Sequence, residues 1–201
     1  QGFKGIINDL SGPTANMYGF ECALKASRGA CPEKSCIYPQ VCPLLGLTHE
    51  HQLALLKALR QVPGVRKVFI SSGIRHDMVM ADVEYGEEYL QELVNYHVSG
   101  QLKLAPEHSQ PAVLRRMRKP SVQSLLAFKQ RFDTLSKSAG KKQFLTYYLI
   151  AAYPGCTQED MFALKRFASE KLGVLPEQVQ IFTPTPSTYA SLMYHTEKAP
   201  F

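Results

Sequence analysis

Two hydrophobic rhythms alternate along this chain. Short apolar runs bounded by polar or turn residues predict buried strands at 4–10, 65–70, 101–106, 144–151 and 178–183. Between them, apolar residues return every three or four positions, as one face of a helix requires. Residues 49–61 place Leu53, Leu56 and either Leu59 or Arg60 on such a face, behind a Thr48 cap. Residues 87–98 repeat Leu90, Leu93, Val94 and His97. Ser121 is placed to cap a helix bearing Leu125, Leu126, Phe128, Phe132 and Leu135 that stops at Gly140. Thr157 and Asp160 read as a capping box, opening a helix with Met161, Leu164, Phe167 and Ala168 inward and an end near Gly173.

Strand and helix alternate four or five times, which predicts an α/β fold with a parallel sheet and helices outside it. Chemistry in such folds sits at the carboxyl ends of the strands. The polar signatures fall at those ends: Asp9-Leu10-Ser11-Gly12-Pro13, Ser71 to Arg75, Glu107-His108 and Pro154-Gly155. One functional face is therefore expected.

The segment 19–47 breaks the rhythm. It carries three prolines and four cysteines and shows no period. An insertion of this length usually has a function or a staple. Cys22, Cys31, Cys36 and Cys42 are close enough in sequence to converge on one metal without long-range folding. Their spacing is neither the C-x2-C pair of zinc knuckles nor a C-x3-C-x2-C run. Thiolates alone suit zinc and an iron–sulfur cluster equally. Reduced cysteines packed as small apolar groups, or a disulfide, are the alternatives. The fifth cysteine, Cys156, stands alone at a helix start and reads as structural, with no partner visible nearby in sequence.

Composition narrows the class. With 45% apolar and 20% charged residues over 201 positions, the chain has the make-up of a soluble globular protein. No apolar run reaches the ~18–20 residues of a membrane span, and no signal peptide opens the chain. A cytoplasmic location without membrane contact is expected, where metal or redox roles for cysteine outrank disulfides. The net charge of +6 admits an anionic partner, including nucleic acid, although the Lys and Arg are spread out except at Arg115, Arg116, Arg118 and Lys119. The first ten residues read as a buried strand rather than a starting tail, so a piece of a longer protein is expected.

Longer strings carry a resemblance. Residues 3–18, with Asp9-Leu10-Ser11-Gly12-Pro13-Thr14, 63–77, with Ile70-Ser71-Ser72-Gly73-Ile74-Arg75, and 102–108, with Ala105-Pro106-Glu107-His108, resemble the YgiQ family of radical S-adenosylmethionine (SAM) proteins. The resemblance runs from residue 3 to the end and includes the cysteine insertion. Residues 103–121, 144–160 and 180–188 are similar to the later strands of tRNA methylthiotransferases and their relatives. The fold implied is a partial (β/α) barrel of the radical SAM type, with parallel strands and a Cys-rich loop inserted at 19–47. SAM would lie across its top beside a [4Fe–4S] cluster held by C-x3-C-x2-C. This chain lacks that motif. It is expected to span a core fragment, 1–201, from the second barrel strand onward, with cluster ligands outside it and no SAM cleavage of its own.

The resemblance also implies residue roles. Gly12 and Pro13 would approach the methionyl amine of SAM, Ser72 its ribose and Arg75 its carboxylate. Glu107 and His108 would bind ribose hydroxyls, position substrate or shuttle a proton, and Pro154 and Gly155 would lie near the adenine. Asp9 is a weaker candidate, and His49, His51, His76, His97 and His195 read as surface or core residues. The implied chemistry is reductive cleavage of SAM to a 5′-deoxyadenosyl radical acting on an unknown substrate. An electron donor such as a flavodoxin or ferredoxin would serve it. A second metal or cluster, zinc or iron–sulfur, is expected at the four cysteines of the loop. The rival reading is a zinc-stabilised nucleic-acid-binding module without redox chemistry.

Overall fold

The structure is a computed structural model that describes residues 2–10, 14–31, 35–176 and 179–199. Its elements run β1 (Gly5–Ile7), α1 (Ala23–Arg28), α2 (Glu50–Gln61), β2 (Val65–Val68), α3 (His76–Ala81), α4 (Gly86–Glu92), β3 (Gln101–Glu107), α5 (Pro111–Met117), α6 (Val122–Ser138), β4 (Phe144–Ala151), α7 (Gln158–Phe167), β5 (Gln180–Ile181) and α8 (Tyr189–Thr196). The fold is α/β. The described strands form two small sheets, β1–β2 and β3–β4–β5, and close no barrel. Pairing is parallel between β1 and β2 and between β4 and β5.

Two compact units emerge. The first is Gln1–Ala105 with Ala127–Thr146, and the second is Pro106–Leu126 with Tyr147–Phe201. In the first unit, Leu53 and Leu56 of α2, Val68 of β2, and Leu102 and Leu104 of β3 are all buried, as are Phe128 and Phe132 of α6. Ile74 joins Leu104 by a parallel bridge. In the second unit, Val113, Leu114, Leu125, Leu149, Leu164, Ala168 and Met193 are buried. No helix among the described residues is long and apolar enough to cross a membrane.

The expected strands occur, but three are shorter than their apolar runs. Past Ile7, pairing continues irregularly, with Phe69 N–H donating to Ile7 C=O at 2.8 Å and Leu10 N–H to Phe69 C=O at 3.0 Å. Ile70 then turns away, its N–H donating to His97 C=O at 3.0 Å. The stripe Leu90, Leu93, Val94 and His97 is fully inward. Its helix changes to a π turn at Leu93–His97, and α7 does the same at Ala168–Leu172. Such turns often mark functional segments. The Thr157–Asp160 capping box is present in both directions. The α2 cap is corrected by one residue: His49 is the N-cap, and Thr48 Oγ1 accepts the Glu50 N–H at 3.2 Å.

The cysteine insertion has more order than its sequence predicts. Cys22 and Leu45 bridge its neck, Gly46 N–H donates to Glu21 C=O at 2.9 Å, and α1 fills part of it. Local backbone bonds, which leave no periodic pattern, hold it together.

Candidate functional site

In the first unit, β1 and β2 end side by side, and Asp9 joins them. Its Oδ1 accepts the N–H of Ser71 at 2.8 Å and of Ser72 at 3.2 Å, while Oδ2 accepts the Ser72 hydroxyl at 2.5 Å. The Ser71 hydroxyl donates to Asn8 C=O at 2.7 Å. Asp9 thus clamps the loop after β2, and the Ser72 hydroxyl proton is committed to it. Gly12 and Pro13 lie outside the described residues.

Arg75 follows on the same loop. Its Nε and Nη2 donate to the two oxygens of Asp77, at 3.1 Å and 2.5 Å. This side-on pair engages Nε and Nη2 of a side chain that is 15% exposed. The Arg75 backbone is held by Asn16, which bonds both its N–H and its C=O.

Behind Asn16 lies a buried chain that sequence reasoning did not find. His49 and Asn16 are 0% exposed. His49 Nε2 is 3.1 Å from Asn16 Nδ2, and His49 Nδ1 is 2.8 Å from Asp82 Oδ2. Phe20 meets the imidazole edge-on and Tyr89 packs on it at 4.5 Å. Burial lowers the His49 pKa below its ordinary value, against the opposing pull of Asp82. Burial alone would raise Asp82, but the N–H groups of Tyr85 and His49 and the His49 ring hold it below its usual range.

In the second unit, two non-glycine residues at strand ends adopt left-handed backbone: Glu107, with φ 65°, closes β3, and Ala152, with φ 55°, follows β4. Each costs on the order of 1–3 kcal/mol, and such strain clusters at functional sites. Glu107 pairs with Lys119 at 2.8 Å. His108 is 1% exposed, and its Nδ1 accepts the Gln110 N–H at 3.0 Å. In a neutral ring the proton is then on Nε2, which faces Cys156 Sγ at 3.5 Å. Cys156 therefore has a partner, from a segment 48 residues away. Burial and then Asp160 raise its thiol pKa, so it stays a thiol rather than a thiolate. Burial lowers His108, and Asp160 partly offsets this.

Arg116, noted before only as part of a basic run, donates to Gly155 C=O at 3.3 Å. Gly155 has φ +77°, which favours glycine, and the Arg116 side chain occupies the space a Cβ would take, with Nε at 2.8 Å. A cavity of about 530 Å³ opens beside it, lined by Arg116, 152–156, Met193, Tyr194 and 197–199. Two of its lining rings, Tyr153 and Tyr194, are joined through Phe182 by ring contacts at 5.3 Å and 6.0 Å. The cavity is of the size that takes a nucleoside-like ligand, with rings, backbone groups and a cation on its walls.

The four cysteines of the loop are free thiols, as is Cys156. Cys42 N–H donates to Cys36 C=O at 2.8 Å, which draws those two segments together. Among the described residues no three His, Cys, Asp or Glu side chains gather closely enough to hold a metal ion.

The two buried histidines set a pH dependence. Both have folded-state pKa values below the ordinary 6.5, so below about pH 6.5 the unfolded chain binds more protons than the folded one. Stability is full above that pH and falls as pH drops through it, by at most about 1.4 kcal/mol per pH unit for each ring. Urea midpoints at pH 7.5 and 5.5 should show the loss. A midpoint that rises on acidification would contradict the burial of neutral imidazoles.

No family model matches the chain. Curated relatives do. A UPF0313 protein of Fusobacterium nucleatum is 54% identical over 199 residues, 99% of this chain and 35% of the relative. One of Thermotoga petrophila is 47% identical over 199 residues, with the same shares. One of Shewanella oneidensis is 45% identical over 196 residues, 98% of this chain and 24% of the relative. These UPF0313 proteins are homologues of the chain, which spans about a third of the length of the first two.

Proposed function

We propose that this chain is part of a longer radical SAM enzyme, a core fragment of a partial (β/α) barrel, and that it binds SAM. The observation carrying this is the second unit's strand-end cluster. Ala152, with left-handed backbone, Gly155 and Cys156 line a nucleoside-sized cavity; Cys156 meets His108, and Glu107, also left-handed, pairs with Lys119. Such strain persists where the surrounding structure enforces it, and it clusters at ligand and active sites. The resemblance of 3–18, 63–77 and 102–108 to radical SAM proteins points the same way.

Each unit, taken by itself, carries groups of a kind that bind SAM. In the second unit, Tyr153 and Tyr194 on the cavity wall are the rings proposed to meet a purine. Glu107, oriented by Lys119, accepts ribose hydroxyls. In the first unit, and argued separately from the second, Arg75 is proposed as a donor to a carboxylate, with Asp77 fixing the plane of its guanidinium. His108, buried and neutral, holds a proton at Nε2 beside Cys156. The cysteines present do not fit a C-x3-C-x2-C site, so the ligands of a [4Fe–4S] cluster belong to sequence outside this chain. When bound, that cluster supplies the electron that cleaves SAM to methionine and a 5′-deoxyadenosyl radical. This chain's contribution is orientation and the exclusion of water.

The test uses the full-length protein, reconstituted anaerobically with iron and sulfide and given a strong reductant. 5′-Deoxyadenosine is the expected product, and its formation should fall at least ~30-fold in Arg75→Ala, the loss of a charge-assisted bond worth about 2–3 kcal/mol. Absence of product and of SAM binding would instead favour a nucleic-acid-binding module. Metal analysis of the same preparation addresses the loop: zinc, or iron beyond one cluster, that is lost in Cys36→Ser places a second metal at Cys22, Cys31, Cys36 and Cys42. Neither metal beyond one cluster removes that site.

A further inference from the structure

The backbone of Arg75 is held at both ends of its peptide by a single carboxamide. Arg75 N–H donates to Asn16 Oδ1 at 2.7 Å, and Asn16 Nδ2 donates to Arg75 C=O at 3.0 Å. A peptide N–H only donates and a carbonyl only accepts, so these bonds fix which end of the carboxamide is oxygen. The second Nδ2 hydrogen then points at His49 Nε2, 3.1 Å away. A ring nitrogen facing an N–H must accept, so Nε2 carries no proton. His49 Nδ1 faces Asp82 Oδ2 at 2.8 Å and therefore carries it. The surrounding bonds alone assign a neutral Nδ1–H imidazole.

A second proton at Nε2 would set N–H against N–H at a site with no solvent exposure. Turning the carboxamide over would satisfy Nε2–H, but it would oppose nitrogen to the Arg75 N–H and oxygen to the Arg75 C=O. Asn16 can serve a protonated His49 or the Arg75 peptide, and not both.

We infer that Asn16 and His49 are positioning residues for Arg75: Asn16 transmits the protonation state of His49 to the Arg75 backbone, holding it while the ring is neutral and releasing it when the ring is charged. The groups facing His49 are Asp82 from the turn after α3, Tyr89 from α4, and uncharged Phe20 and Asn16 from the segment before α1. Asp82 favours the second proton, and burial opposes it. Tyr89 is fully buried and its phenol stays neutral. The consequence for ligand binding rests on the reading of Arg75 as a carboxylate donor; the backbone coupling does not.

The test follows the full chain, labelled with ¹⁵N-histidine, from pH 8 to pH 5. His49 should show a proton on Nδ1 alone at pH 8. As it takes a second proton, protection of the Arg75 amide against hydrogen exchange should fall ~10-fold or more with the same midpoint, the loss of two hydrogen bonds. The Ile70 amide, bonded to His97 C=O, should keep its protection. His49→Gln retains an acceptor for Asn16 and cannot titrate, so Arg75 should stay protected at pH 5, a gain that a merely structural role does not predict. An Nε2–H tautomer at pH 8, a ring that never titrates before global unfolding, or Arg75 protection indifferent to that titration would each overturn the coupling. SAM affinity of the full-length protein, measured at pH 7.5 and 5.5, separates the two ideas. Weakening at pH 5.5 supports both, whereas no SAM binding at either pH removes the role of Arg75 and leaves the coupling to the exchange data.

Discussion

Asp82→Ala should destabilise the protein by about 3–5 kcal/mol, because each buried donor left without an acceptor costs about 1–3 kcal/mol. One carboxylate serves four donors. Oδ2 accepts the His49 N–H at 2.7 Å and the His49 Nδ1–H at 2.8 Å, and Oδ1 accepts the N–H of Tyr85 at 3.0 Å and of Glu84 at 3.2 Å. Alanine leaves all four without an acceptor, two of them on a residue that is 0% exposed. Asp82→Asn should recover little, because both oxygens are in use and asparagine has one. Denaturant unfolding at pH 7.5 measures the change. A loss under ~1 kcal/mol, typical of a surface pair, would show that water reaches the network.

Gly64→Ala should have an effect of similar size by a different route. Gly64 has φ +90°, where an L side chain is strained, and a Cβ there would stand 1.8 Å from the carbonyl oxygen of Phe3. That neighbour is backbone, so no rotamer relieves the contact. The bond from Gly5 N–H to Gly64 C=O, 3.0 Å long, lies at the same place. Alanine must therefore drive β1 off β2, beyond the ~1–3 kcal/mol of ordinary overpacking. Because Asp9 reaches Ser71 and Ser72 only while those strands are paired, the clamp opens too. Hydrogen exchange should show Phe69, Ser71 and Ser72 amides losing protection while α7 keeps its own. Intact protection at Phe69 would refute the steric argument.

Much of the element plan was legible in the chain. The stripes Leu53–Leu56 and Leu90–Leu93–Val94–His97 became buried faces, and Gly140 and Gly173 stand, with left-handed backbone, at their helix ends. Both features depend on residues within one or two turns of each other, so local geometry suffices. The helices α1, α3 and α8 were not foreseen. They have six, six and eight residues, too few to establish a period, and α1 has no buried face.

The site was legible only in outline. Sequence placed Asp9, Ser72, Arg75, Glu107, His108 and Gly155 at or just after strand ends, and they are found there. It gave no sign of what they touch. His49 read as an ordinary surface or core histidine, yet Asn16, His49 and Asp82 stand 33 residues apart in succession and form one chain. Cys156 read as solitary until β3 brought His108 to it.

What this sequence determined by itself is which segments are helix or strand and which chemical groups stand at the strand ends, since periodicity and turn residues act over a few positions. Tertiary structure alone decided the partners, because a side-chain hydrogen bond needs two backbones placed to within a few tenths of an ångström. That placement is set by the packing of residues far away in the chain. The tautomer of His49, the hold on Arg75 and the proton beside Cys156 all follow from it.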